Sequence, residues 1–240
     1  MDCSDDHDVY RAIADLARSM HHTNPHNPVT ETDILQEVTA CTVKFFAAVD
    51  HASVSVLHRR GRGLRVSSAA PTGDIAAFVD RLQETSGMGP SVDAIDSRGT
   101  VLVDDFNADT RWPTLTAAVL ADTPVRAAAS LLLSTGHQSI GALNIYCDTP
   151  GVLDGDTVGH AQTLAAHAAV GISSVRRDEQ FRAALVSRDL IGQAKGIVME
   201  RFEMNAADAF ELLATLSQDN NVPVTDIAAE VVAHRTQRPH

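Results

Sequence analysis

From Asp156 to about Arg201, apolar residues recur at helical spacing for roughly 45 residues with no proline and no convincing break. A helix of that length in a soluble chain belongs to a coiled coil or joins two domains. The chain is therefore expected to divide into an N-terminal helix and polar loop over 1–29, a domain over 30–175 and a second over 176–240. The helix of about 156–201 is shared by the last two. Near its end the run Ile191-Gly-Gln-Ala-Lys-Gly-Ile-Val-Met-Glu-Arg201 holds two glycines. Each costs a helix roughly 0.5–1 kcal/mol relative to alanine. Two of them four residues apart share a face, which something outside the helix can then approach closely. Lys195 lies between them and Arg188 one heptad before Lys195, the pattern of a phosphate-contacting stripe.

Upstream the period changes. Helical spacing over Val9–Met20 ends in His21-His-Thr-Asn-Pro-His-Asn-Pro28, read as a polar loop in preference to a metal site. A second helix is expected over Thr30–Ala48, opened by a Thr30/Thr32 cap. Ala52–Leu57 and Leu64–Ala70 then alternate as strands of a hairpin across Arg59-Arg-Gly-Arg-Gly63. A helix over Ile75–Thr85, a strand over Thr100–Asp104 and a hairpin of Ala127–Ser134 with Ser139–Cys147 complete an α+β layout. After the long helix, two short ones are expected over Ala206–Gln218 and Val224–His234.

Charge bears on the stripe. The chain carries a net −12, yet residues from Arg176 onward hold 8 Lys/Arg against 10 Asp/Glu, while the preceding 175 hold 11 against 21. Neither part attracts a polyanion by bulk charge, so any nucleic-acid contact rests on a local patch. No apolar stretch approaches the roughly 20 residues that cross a bilayer. Cys3, Cys41 and Cys147 are odd in number and far apart, which argues against a disulfide framework. With an acidic start in place of a signal peptide, a cytoplasmic location is expected.

Gly87-Met-Gly-Pro-Ser-Val-Asp-Ala94, Val103-Asp-Asp-Phe-Asn-Ala-Asp-Thr-Arg-Trp-Pro113 and Gly141-Ala-Leu-Asn-Ile-Tyr146 together resemble a GAF domain of the actinobacterial regulator type, over about residues 30–175. The resemblance implies an antiparallel sheet flanked by helices that binds a small ligand or dimerises. The ligand is not readable. The Asn-Lys-Phe…Asp…Glu set of cyclic-nucleotide GAF domains and the Cys-His pair that attaches a bilin are both absent, and Ser91 stands where related sequences often have Cys. Trp112 is expected to anchor its loop on the core, and His137 to sit on a hairpin turn.

Arg188, Ile191–Arg201, Ala209-Phe210, Leu213, Ser217-Gln218 and Asp226-Ile-Ala228 resemble an ANTAR domain, a three-helix module of transcription antiterminators. The resemblance implies RNA with paired stem-loops as partner and a homodimer as the working form. At about 100° per residue, Ala183, Val186, Leu190, Ile191, Ala194, Ile197, Val198 and Phe202 fall in one arc, expected to pack on the last two helices. Arg188, Gly192, Lys195 and Met199 lie on its edge, with Gln193 and Gly196 farther round and Arg201 within the arc. These seven are the candidate RNA-binding residues. Relatives place basic residues where this chain has Ala214, Val222, Pro223 and Thr225. A ligand-binding or dimerisation module without RNA is the alternative. A DNA-binding helix-turn-helix at Thr225–Val232 lacks length for a recognition helix. No phosphate loop, nucleophile–base set or metal-ligand spacing suggests an enzyme.

Overall fold

The computed structural model describes residues 29–60, 63–136 and 138–236. The expected helix over 9–20, the histidine-rich loop and His137 lie outside them. The chain forms two units, divided between Val175 and Arg176.

In the first unit, α1 (Glu31–Phe45) starts on a capping box. The Thr30 hydroxyl accepts from the Asp33 amide while the Asp33 carboxylate accepts from the Thr30 amide. The helix stops at Phe45 rather than at Ala48, because Phe46 turns to extended geometry and buries itself with Val49 in the core. The strands β1 (His51–Arg60), β2 (Gly63–Ala69), β3 (Thr100–Val103), β4 (Ala127–Thr135) and β5 (Gln138–Cys147) form one sheet. Its order is β2-β1-β5-β4-β3, antiparallel throughout. Strand β1 runs on through Arg59 and Arg60, which pair with Leu64 and Gly63; these two arginines belong to the ladder and not to the turn.

Both faces of the sheet are covered. Leu143, Ile145 and Cys147 of β5 join Val54 and Val56 of β1 and Ala129, Leu131 and Leu133 of β4 on one side. Against them pack α1 and the start of the long helix α5 (Gly155–Phe202), through Ala161, Leu164, Ala165, Ala168, Ala169 and Ile172. The other side is covered by α2 (Asp74–Ser86), α3 (Pro90–Ser97) and α4 (Pro113–Asp122), with Phe106 and Trp112 filling between. Helices α3 and α4 were not expected from the sequence. Both open with proline, whose fixed φ suits the first helical position where an amide has no partner. Gly141 is required where β5 meets β1: a Cβ there would lie 1.9 Å from the Ser55 carbonyl oxygen. As expected, Trp112 ties its loop down. Its indole N–H donates to Asp93 at 3.2 Å, and the Arg111 guanidinium sits 4.4 Å above the ring.

In the second unit, α5 packs with α6 (Ala206–Asn220) and α7 (Val224–Thr236). Ala194, Val198, Ala209, Leu213, Ile227 and Ala228 form the centre, ringed by Leu190, Ile191 and Met199 of α5. Asn205 caps α6 by accepting from the amides of Ala207 and Asp208. The expected arc needs correction. Val186 is 69% and Phe202 56% exposed, and Ala183 is exposed too. The core contributed by α5 runs only from Leu190 to Met199, because two helices as short as α6 and α7 cover no more of it.

Candidate nucleic-acid interface and polar interior

Helix α5 continues through the run Ile191–Arg201 without interruption, so both glycines lie in regular helix. Gly192 and Gly196 are exposed, and a Cβ built on either would meet nothing within 4 Å. No helix of the unit crosses closely over them. Packing among the described residues therefore gives no reason for two residues that each weaken a helix by roughly 0.5–1 kcal/mol.

Around this open backbone, Arg188 is exposed one heptad before the half-buried Lys195. Gln193 is exposed, and its amide donates to Asp189 at 3.0 Å, which holds the side chain along the helix. Met199 turns toward the core beside Val198. Arg201 is exposed rather than packed within the arc, and its guanidinium stands 5.9 Å from the centre of the Phe202 ring. The seven candidates thus divide. Arg188, Gly192, Gln193, Lys195 and Gly196 share accessible surface, Met199 supports the core under it, and Arg201 stands at the helix end. Such a face offers cations for phosphates, bare backbone for close approach and an amide for a base edge.

The first unit holds a second candidate site, which sequence reading did not single out. On the sheet face under α2, the alternate strand positions are polar: Ser53 and Ser55 on β1, Ser130 on β4, and Asn144 and Tyr146 on β5, all buried. Their hub is Asp80 of α2, only 2% exposed. Its carboxylate accepts from the Tyr146 hydroxyl at 2.6 Å, the Ser53 hydroxyl at 2.8 Å, the Asn144 amide at 3.3 Å and the Ser68 hydroxyl. Tyr146 in turn accepts from the Gln83 amide at 3.0 Å, and the Gln83 carbonyl accepts from both the amide and the hydroxyl of Ser91 at 2.9 Å. The Asn144 carbonyl takes the Ser130 hydroxyl at 2.9 Å. Gly89 makes room for this chain of bonds, since a Cβ there would press within 2.6 Å of Gln83 and its φ of +139° suits glycine.

None of the four partners of Asp80 is a cation. Burial pushes its carboxyl above the usual carboxylate range, and the hydrogen bonds from Ser68, Tyr146, Ser53 and Asn144 oppose that shift. Burial, with the adjacent Asp80 charge, raises the Tyr146 phenol as well. Among the described residues no thiol reaches this interior. Cys147 points to the apolar face, its pKa pushed up to about 12 by burial and by Asp50 and Asp148, and Cys41 is half-buried on α1. Among the described residues no cluster of three or more His, Cys, Asp or Glu is placed to hold a metal ion. No helix among them is long and apolar enough to cross a membrane.

Comparison with known proteins places both regions. The GAF domain model matches residues 28–173 and the ANTAR domain model residues 179–232. No curated protein matches the chain. Among solved structures, the free methionine-R-sulfoxide reductase from Neisseria meningitidis, in complex with its substrate, superposes with a TM-score of 0.54 at 14% identity, over 71% of this chain and 91% of that one. The GAF domain of the Acinetobacter phosphoenolpyruvate-protein phosphotransferase gives 0.53 at 13% identity, over 74% and 97%. The reduced free methionine-R-sulfoxide reductase of Staphylococcus aureus gives 0.52 at 12% identity, over 68% and 94%. At these identities the likeness is one of fold.

Proposed function

Because the chain belongs to the GAF domain family and carries an ANTAR domain behind it, we propose that it is a signal-responsive RNA-binding regulator. It acts as a transcription antiterminator on nascent cytoplasmic RNA with paired stem-loops, as a homodimer under control of the GAF unit. The observation that carries this reading is the pair Gly192 and Gly196, exposed on α5 with nothing among the described residues packed over them. Backbone left bare at a cost to the helix calls for a partner from outside, and Lys195 between the glycines, with Arg188 and Gln193 beside them, supplies the chemistry of an RNA contact. Arg201 adds a cation at the helix end, and Met199 holds the face in place from below.

The reading assigns no catalysis. The reductases that share the fold are distant in sequence, and the polar interior here holds a carboxylate, hydroxyls and amides but no thiol among the described residues. A small molecule bound by the GAF unit, or GAF pairing, would bias α5 and so the presentation of two RNA-binding modules.

The test uses the full chain and an RNA bearing two short hairpins. Gly192→Ala raises helix stability by roughly 0.5–1 kcal/mol, seen as a higher unfolding midpoint, and weakens RNA binding. Lys195→Ala lowers the slope of log affinity against log salt by about one. If both variants bind the RNA as the parent does, the face is not an RNA contact and the reading falls.

A further inference from the structure

Between Arg176 and Leu190, α5 carries exposed apolar residues that the unit's core does not use. Phe181 is 65% and Leu185 50% exposed, one turn apart on the same face. Asp178 lies three residues before Phe181 and Arg188 three after Leu185, both exposed. The spacing 178, 181, 185, 188 puts all four on one narrow stripe, an apolar pair bracketed by opposite charges.

We propose that this stripe is where a second copy of the chain docks, antiparallel, about a two-fold axis near Ala183. Self-complementarity is what an isologous interface demands. In this register Phe181 lies on the partner subunit's Leu185 and Leu185 on the partner subunit's Phe181. Asp178 meets the partner subunit's Arg188 at each end. A parallel arrangement puts every residue against itself, so that Asp178 faces Asp178 and Arg188 faces Arg188 across the axis, which like-charge repulsion disfavours. A polyanion fits the stripe less well than a second copy does, because it meets Asp178. The inference rests on the homodimer part of the proposed function and gives that dimer a face and a direction. It also gives Arg188 a second role, at the junction between this seam and the glycine face around Lys195.

The experiment is sedimentation equilibrium of the full chain over a concentration series. The parent is compared with Asp178→Arg, Arg188→Asp and the double charge swap, with helix content followed by circular dichroism. These are exposed positions, where substitution leaves folding intact. Each single reversal places like charges against one another and raises the dimer dissociation constant about tenfold, while the swap restores opposite charges and recovers parent association to within about threefold. Association unchanged in every variant places the dimer on another face or in the parallel arrangement. If Arg188→Asp then alters RNA binding alone, the stripe belongs to RNA. A swap that fails to recover what the single reversals lose shows that the two residues do not face each other. Each of these results overturns the pairing and leaves the dimer and the RNA reading standing. A parent that stays monomeric at every concentration overturns the dimer as well.

Discussion

Asp80 is a buried acid held by four neutral donors, and the pH response of the first unit follows from that. Its folded-state pKa lies above the unfolded value, so the folded state holds the proton more tightly. The stability this adds is complete at low pH and is lost as pH rises from about 4, the unfolded value, through the raised folded one. Asp33, Asp105, Asp109 and Asp154 do the opposite. Hydrogen bonds hold each below the usual carboxylate range, so their stabilisation disappears as pH falls. The two effects occupy different windows. Thermal unfolding as a function of pH is expected to show a decline above the ordinary carboxylate range in the parent that Asp80→Asn lacks. Identical profiles in that window would remove Asp80 as its source.

At the scale of elements, what could be read from sequence depended on whether a signal was local. The Thr30–Asp33 cap lies within four residues and marks the start of α1 where the structure has it. Thr30→Ala is expected to cost about 1 kcal/mol, readable as a lower denaturation midpoint with unchanged slope. Strands β1 and β2 were legible from their alternation, and the long helix from its unbroken period. Helices α3 and α4, of 8 and 10 residues, were not. They begin on proline without a capping side chain and are too short for a period to emerge. The glycine face of α5 was visible because a glycine in a good helix contradicts its surroundings. The polar interior stayed hidden for the converse reason: Ser53, Ser55, Ser130 and Asn144 at alternate strand positions look like an ordinary solvent face. The available signal was Asp80 and Gln83 on the same side of α2 as Ala76 and Val79, since a carboxylate and an amide on an apolar helix face need partners opposite.

For the whole molecule, the residues of the two units' cores do not overlap, although one helix runs through both units. Substitution in one core should therefore leave the other's stability nearly untouched. Leu213→Ala, at a fully buried position of the second unit, is expected to cost about 3 kcal/mol there. Calorimetry would record one transition moving to lower temperature while the other stays. If both moved together, the chain would unfold as a single cooperative block.

The hydrogen-bonded interior beneath α2 also guards the sheet against misfolding. Moving β5 by one residue along its neighbours would carry Asn144 and Tyr146 into the aliphatic layer and bring Leu143 and Ile145 against Asp80. The same penalty falls on a slip of β1 or β4, which present serines to that side and aliphatic residues to the other. Buried polar groups that add little net stability can still exclude competing pairings. In a sheet built largely from alanine, valine and leucine, where many registers pack almost equally well, this cluster sets each central strand in a single alignment.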